Sequence, residues 1–265
     1  MTTERVLDDR PLIPVRHLAN KVPEVTAYFW IIKVLTTGMG ETASDLLART
    51  LGPIPAVALG GLALAASLAL QLTRRRYVAW AYWTAVVMVS VFGTMAADVL
   101  HVGLGVPYVV SAPAFLVLLA AVFVLWYVSE RTLSIHTIRT RRREAFYWAA
   151  VLATFALGTA AGDLTAADGL GYLGSVVLFA AGICVPALAH RFGGISAVTA
   201  FWTAYVITRP LGASLADWMA LGRTRGALGL GLTPVTLAWT AAIIGFVGYL
   251  AVSQRDRRTP TTASA

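Results

Sequence analysis

The sequence predicts an all-α membrane protein with eight transmembrane helices, arranged as four helical hairpins repeated in parallel. Three observations predict it. The first is composition: 58% of the 265 residues are hydrophobic, 13% are charged and the mean hydropathy is +0.72. Soluble domains carry roughly a quarter charged residues, so this balance excludes one. The second is the recurrence of apolar stretches of about 20 residues, the length that carries a helix across a hydrocarbon core of about 30 Å. The third is a sequence unit that occurs four times.

Taken in order, the predicted spans are residues 26–48, 53–72, 78–100, 106–128, 146–165, 171–189, 197–221 and 232–252. Ahead of them, "TTERVLDDRPLIPVRH" has no apolar core, so no cleavable signal peptide is expected. Lys and Arg crowd alternate loops. One side receives Arg5, Arg10, Arg16 and Lys21, then Arg74 to Arg76, the run ending at Arg143, Arg191, and Arg255 to Arg258; the other receives only Arg49, Arg223 and Arg225. The positive-inside rule then makes residues 1–20 and 254–265 cytoplasmic tails. The net charge of +8 is therefore topological. Nucleic-acid binding would need these residues on one folded face beside stacking aromatics, and they lie instead in short loops beside spans. Cys184, inside an apolar span and without a partner cysteine, is expected to be a small packing residue.

The four copies read "YFWIIKVLTTGMGETASD", "AYWTAVVMVSVFGTMAAD", "FYWAAVLATFALGTAAGD" and "AFWTAYVITRPLGASLAD", and they align without a gap. Each has an aromatic pair ending in Trp (Trp30, Trp83, Trp148, Trp202), then Gly ten residues on (Gly40, Gly93, Gly158, Gly212) and Asp fifteen residues on (Asp45, Asp98, Asp163, Asp217). A Gly- or Pro-containing turn and a second apolar helix follow each copy, as in "GPIPAVALGGLALAASLALQL". The units cover about 21–75, 76–130, 144–191 and 195–253, within a single integral membrane domain. Two spans per unit make all four Asp-bearing helices cross the membrane in the same sense, unlike inverted-repeat transporters. The tryptophans near one end of these helices are expected to form an interfacial aromatic belt.

The stretch "KVPEVTAYFWIIKVLTTGMGETASD" resembles the signature of an uncharacterised bacterial membrane protein family of four tandem two-helix, Trp-containing repeats. The resemblance runs from about Lys21 to Val252. It implies the architecture and a bacterial inner membrane, and brings no activity with it.

Chemistry has to come from the charges within the spans, all of which lie on the first helix of each pair. Polar residues recur at i, i+4 and i+8, which puts them on one helix face: Lys33, Thr37, Glu41 and Asp45 in the first copy; Ser90, Thr94 and Asp98 in the second; Thr159 and Asp163 in the third; Tyr205, Arg209 and Asp217 in the fourth. Turned inward, these stripes would line a polar central path. Five acids against two bases is an excess that a cation site or proton relay requires, because uncompensated charge inside a bilayer is costly. Glu41 stands where the other copies have Thr94, Thr159 and Ala213, so it breaks the repeat. Arg209 and the following Pro210 break it too, and a proline frees a backbone carbonyl.

These residues define the expected site. Glu41, Asp45, Asp98, Asp163, Asp217, Lys33, Arg209 and Thr37 would contact an ion or solute, with Glu41, Asp45 and Asp98 as metal ligands. Asp45 ranks above Asp163, because it shares a face with Glu41. The competing reading makes the four aspartates structural, bonded to the next repeat. His101 follows Asp98 at metal-ligand spacing but is expected to be interfacial. The oxygen-rich ligand set favours H⁺, Mg²⁺ or Mn²⁺. The expectation is a cation transporter or channel in contact with the lipid bilayer, with no cofactor. The alternatives are an organic-solute or anion transporter, in which Lys33 and Arg209 hold a carboxylate, and a sensor or assembly protein that transports nothing. No H-E-x-x-H and no G-x-S-x-G occurs, so an enzyme is not expected.

Overall fold

The computed structural model describes residues 20–256; most of the two expected tails lies outside them. Eight long helices and no strand occur among the described residues. Helix α1 (Ala27–Leu51) starts at Thr26, whose hydroxyl accepts a hydrogen bond from the Phe29 amide at 3.4 Å. It stops at Gly52, whose φ of +86° few other residues tolerate. Helix α2 (Pro53–Thr73) then opens on proline, which suits the first helical position because no amide bond is lost there. Helices α3 (Ala79–Asp98) and α5 (Arg141–Thr165) each run on into a π-helical turn, Val99–Gly103 and Ala166–Leu170. Helix α4 (Tyr108–Glu130) follows the first. In the second, Gly169 at φ +99° breaks the chain direction before α6 (Gly171–Arg191). Helix α7 (Ala197–Ala220) is capped by the Ser196 hydroxyl, and α8 (Leu232–Ser253) completes the bundle.

Five helical runs are long and apolar enough to cross a membrane: Pro53–Thr73, Ala79–His101, Tyr108–Glu130, the continuous Arg141–Arg191 and Leu232–Ser253. Helices α1 and α7 are not among them. Their hydropathy is diluted by the residues that make them interesting, Lys33, Glu41, Asp45 and Arg49 in α1 and Arg209, Pro210 and Asp217 in α7.

Helices α1, α3, α5 and α7 form a central ring in which each packs on the next and α7 closes on α1. They run the same way, since aromatic residues meet at one end (Phe29 with Trp83 and Phe201, Tyr82 and Trp202 with Tyr147) and acids meet at the other. Each second helix leans mainly on the first helix of the following unit: α2 on α3, α4 on α5, α6 on α7, and α8 back on α1. The unit in sequence is thus a hairpin, but the unit of packing is a helix and its successor. The outer helices turn exposed apolar residues away from the ring, among them Leu62, Val117, Val177 and Leu237.

The repeated glycine sets the ring's spacing. A Cβ on Gly40 would stand 1.9 Å from Ser90 Oγ; on Gly93, 2.7 Å from Phe155 Cβ; on Gly158, 2.2 Å from Arg209 Cγ; on Gly212, 1.8 Å from Thr37 Oγ1. Every glycine therefore abuts the residue eight places before the aspartate of the next unit, and the fourth contact returns to the first. Only a missing side chain allows helices this close.

Candidate functional site

The inward stripes meet, but they do not enclose an open path. At its Trp-bearing end the ring is filled. Trp83, Trp148 and Trp202 are buried and not turned outward as a belt would be, because the ring and the leaning outer helices cover them; Trp30 is half-buried. Trp202 Nε1 donates to the Leu133 carbonyl at 2.9 Å. Tyr82 and Tyr147 share a hydroxyl–hydroxyl hydrogen bond of 2.5 Å.

One layer further along, Lys33 is wholly buried. Its amine has no hydrogen-bond partner among the described residues and sits over the rings of Phe155 and Tyr205, 4.0 and 4.2 Å from their centroids. Thr37 spends its hydroxyl on the Val34 carbonyl at 2.7 Å, so it is a contact of the α1–α7 approach.

Arg209 lies at the centre of the ring with no solvent exposure. Its Nη2 donates to Glu41 Oε2 at 2.8 Å, Thr94 Oγ1 at 2.5 Å and Thr159 Oγ1 at 2.6 Å. Those three acceptors are the residues four places before the aspartate in the first three units. The fourth unit has Ala213 there, on the arginine's own helix. Each threonine donates its own proton back to a carbonyl of its helix, Ser90 at 3.0 Å or Phe155 at 3.2 Å, which leaves the oxygen free to accept. The ion pair ties α7 to α1, and the hydroxyls centre the guanidinium between α3 and α5.

Beyond this plug the ring opens into a cavity of about 570 Å³. Glu41, Asp45, Asp98, Asp163 and Asp217 all line it, with Ser44, Tyr108, Tyr172 and Arg225. Carboxylate oxygens of Glu41, Asp163 and Asp217 lie within 4.8 Å of one another. Acids this close carry their charge together only when a cation, a guanidinium or a proton stands among them.

Four superposed helices with Trp, Gly and Asp at matching levels make the repeat physical as well as textual. The Repeat of Unknown Function (DUF347) family matches residues 28–77, 81–132, 146–193 and 200–256. The chain belongs to this family. Neither the curated proteins nor the solved structures contain a match.

Across its four DUF347 repeats the cavity is unequal. The expected metal ligands were Glu41, Asp45 and Asp98, neighbours along a helix or between the first two repeats. The packing draws the first, third and fourth repeats together at the triad instead. Asp45 is part-exposed and receives Arg49 Nη2 at 3.1 Å, while Asp98, half-buried, lines the cavity outside the triad. The ranking of Asp45 over Asp163 rests on helix spacing, which reports neighbours on one helix and not across a ring; across the ring it is Asp163 that has an oxygen within 4.8 Å of Glu41 and Asp217. His101 is taken up by its own turn, between the Val106 carbonyl at 2.8 Å and Ser111 Oγ at 3.1 Å. Cys184 is exposed on α6 and packs nothing in the core.

A buried charge cluster at the Trp-bearing end has no counterpart in the sequence reading. Lys21 pairs with Glu144, whose other oxygen accepts from Gln71 Nε2 at 3.3 Å. Lys21 and Glu144 are almost fully buried. Near them the Lys21 amide donates to the Ile138 carbonyl at 3.0 Å and the Glu24 amide to the Asp256 carbonyl at 2.9 Å. The "KVPEV" stretch is therefore a tie that gathers the end of α2, the loop between α4 and α5, and the end of α8. A lysine and a glutamate flanking two different spans were the only available signal.

Proposed function

We propose that the protein is a multi-pass membrane transporter or channel for a cation, either the proton or a hard divalent metal ion, moving through a carboxylate-lined path. In this reading all eight helices cross a bacterial inner membrane, the Trp-bearing end and both termini face the cytoplasm, and the acidic cavity faces outward. The loop distribution of Lys and Arg supports that orientation. The observation that carries the function is the cavity itself, with five carboxylates on one side of a buried arginine.

The mechanism follows from competition for Glu41. A cation arriving among the acids shares Glu41 with the Arg209 guanidinium, and the α1–α7 tie loosens. Helix α7 is suited to move, because Pro210 leaves the carbonyl four residues earlier without its helical partner. Such a two-state pair, released by ligand, is a recognised way to couple binding to helix displacement. The outer acids raise the local cation concentration ahead of that step.

The test is a flux assay in proteoliposomes across metal ions, protons and small carboxylates. The cation reading expects uptake of H⁺, Mg²⁺ or Mn²⁺ above empty liposomes and none of the carboxylates. Uptake of a carboxylate alone would transfer the function to the anion class.

A further inference from the structure

We infer that the acidic cavity binds one hard divalent cation, held by the carboxylates of Glu41, Asp163 and Asp217 with the Ser44 hydroxyl as a further oxygen. The inference rests on the cation reading above and narrows it to a ligand class and a set of atoms.

Geometry comes first. Oxygens on opposite sides of one ion are separated by twice the metal–oxygen distance, about 4.2 Å for Mg²⁺ and about 5 Å for Ca²⁺. The triad's oxygens, all within 4.8 Å, span a Ca²⁺-sized ion as they stand and need to close by only a few tenths of an ångström around Mg²⁺ or Mn²⁺. They come from α1, α5 and α7, so the site exists only in the closed ring.

Ser44 is the independent observation. It is 1% exposed, it lines the same cavity, and its Oγ has no hydrogen-bond partner among the described residues. A buried hydroxyl without a partner costs about 1–3 kcal/mol. In the other repeats its position is Ala97, Gly162 and Ala216, so the hydroxyl occurs only beside Glu41, the acid that itself breaks the repeat.

Charge decides the valence. The triad's three carboxylates set against Arg209 leave two negative charges. The whole cavity agrees, since five acids set against Arg209, Arg49 and Arg225 also leave two. One monovalent ion would leave half of that uncompensated.

Donor chemistry decides the class. Every ligand is oxygen; His101 is engaged in its turn and Cys184 faces away, so soft ions find no partner. The cavity is also large enough for the waters that Mg²⁺ and Mn²⁺ retain.

Mn²⁺ is the probe, titrated into the purified full-length protein in detergent, with the electron paramagnetic resonance signal of free Mn²⁺ reporting what remains unbound. One saturable Mn²⁺ per chain, displaced by Mg²⁺, is expected. Asp163→Asn and Asp217→Asn should each weaken it about a hundredfold and Ser44→Ala about tenfold. Asp168→Asn, an exposed acid outside the cavity, should leave it unchanged. A Mn²⁺-induced rise in the unfolding temperature should follow the same order, and Ser44→Ala carries the test if either Asn variant fails to fold.

No saturable Mn²⁺ on the wild-type protein overturns the inference, as does undiminished binding in the Asn variants and Ser44→Ala. Bound Mn²⁺ without flux leaves the site standing and removes the transport reading; proton flux without bound Mn²⁺ does the reverse.

Discussion

The two ends of the central ring are built from the same four helices and the same repeat, yet they are opposite in character. At the Trp-bearing end aromatic side chains fill the axis: Trp83, Tyr82, Tyr147 and Phe29 are buried and touch one another. At the Asp-bearing end the equivalent space is a cavity lined by five carboxylates. Arg209 is the boundary. The contrast teaches that the repeat makes the scaffold and the departures from it make the site. Trp, Gly and Asp recur in every copy, whereas Glu41, Arg209, Lys33 and Ser44 each occur once at their level of the ring.

Removing the boundary should have the largest effect. Arg209→Ala leaves Glu41 buried without its partner and should cost about 3–5 kcal/mol, read as unfolding in detergent. Pairing it with Glu41→Gln should recover much of that loss. Full additivity of the two variants would contradict the direct pair.

Next comes the spacing on which both ends depend. Gly212→Val drives a branched side chain into Thr37 and the Val34 carbonyl, the latter 3.0 Å from the added Cβ, and should cost about 1–3 kcal/mol. Gly248→Ala, where an added Cβ meets nothing within 4 Å, is the control and should cost no more than a few tenths of a kcal/mol.

The packed end offers a finer comparison. Tyr82→Phe removes one side of the hydroxyl pair with Tyr147 and should destabilise by about 1 kcal/mol. Flux per folded molecule should stay at the wild-type level, because the lesion lies on the far side of Arg209 from the cavity.

Smallest of all is the cavity rim. Arg49 is exposed and its pair with Asp45 spans a single helical turn, so Arg49→Ala should change stability by no more than about 0.5 kcal/mol.

The helices, the fourfold unit and the inward face of the first helices were legible, because hydrophobic length and i, i+4 spacing are properties of one helix. So was the anomaly of Glu41 and Arg209, each visible as a break in its own repeat. What lay beyond reach depends on packing between helices. No spacing says that α2 leans on α3 more than on α1, that this arrangement buries the tryptophans, or that the third and fourth repeats bring Asp163 and Asp217 to Glu41. The span of an arginine side chain matters in the same way. Arg209 belongs to the level of Thr37 and Ser90 in sequence but acts at the level of Thr94 and Thr159.

The central claim is that cation movement passes through Glu41, and the most direct test compares wild type with Glu41→Gln in proteoliposomes at matched folded protein. The substitution keeps the side chain's shape and its ability to accept a hydrogen bond from Arg209, and removes its charge and proton exchange. Cation flux per folded molecule should fall to the level of empty liposomes, while the unfolding temperature falls less than in Arg209→Ala, because Asp163 and Asp217 remain in the same cluster to balance the guanidinium. Flux at the wild-type rate would contradict the account and leave Glu41 as the structural partner of Arg209.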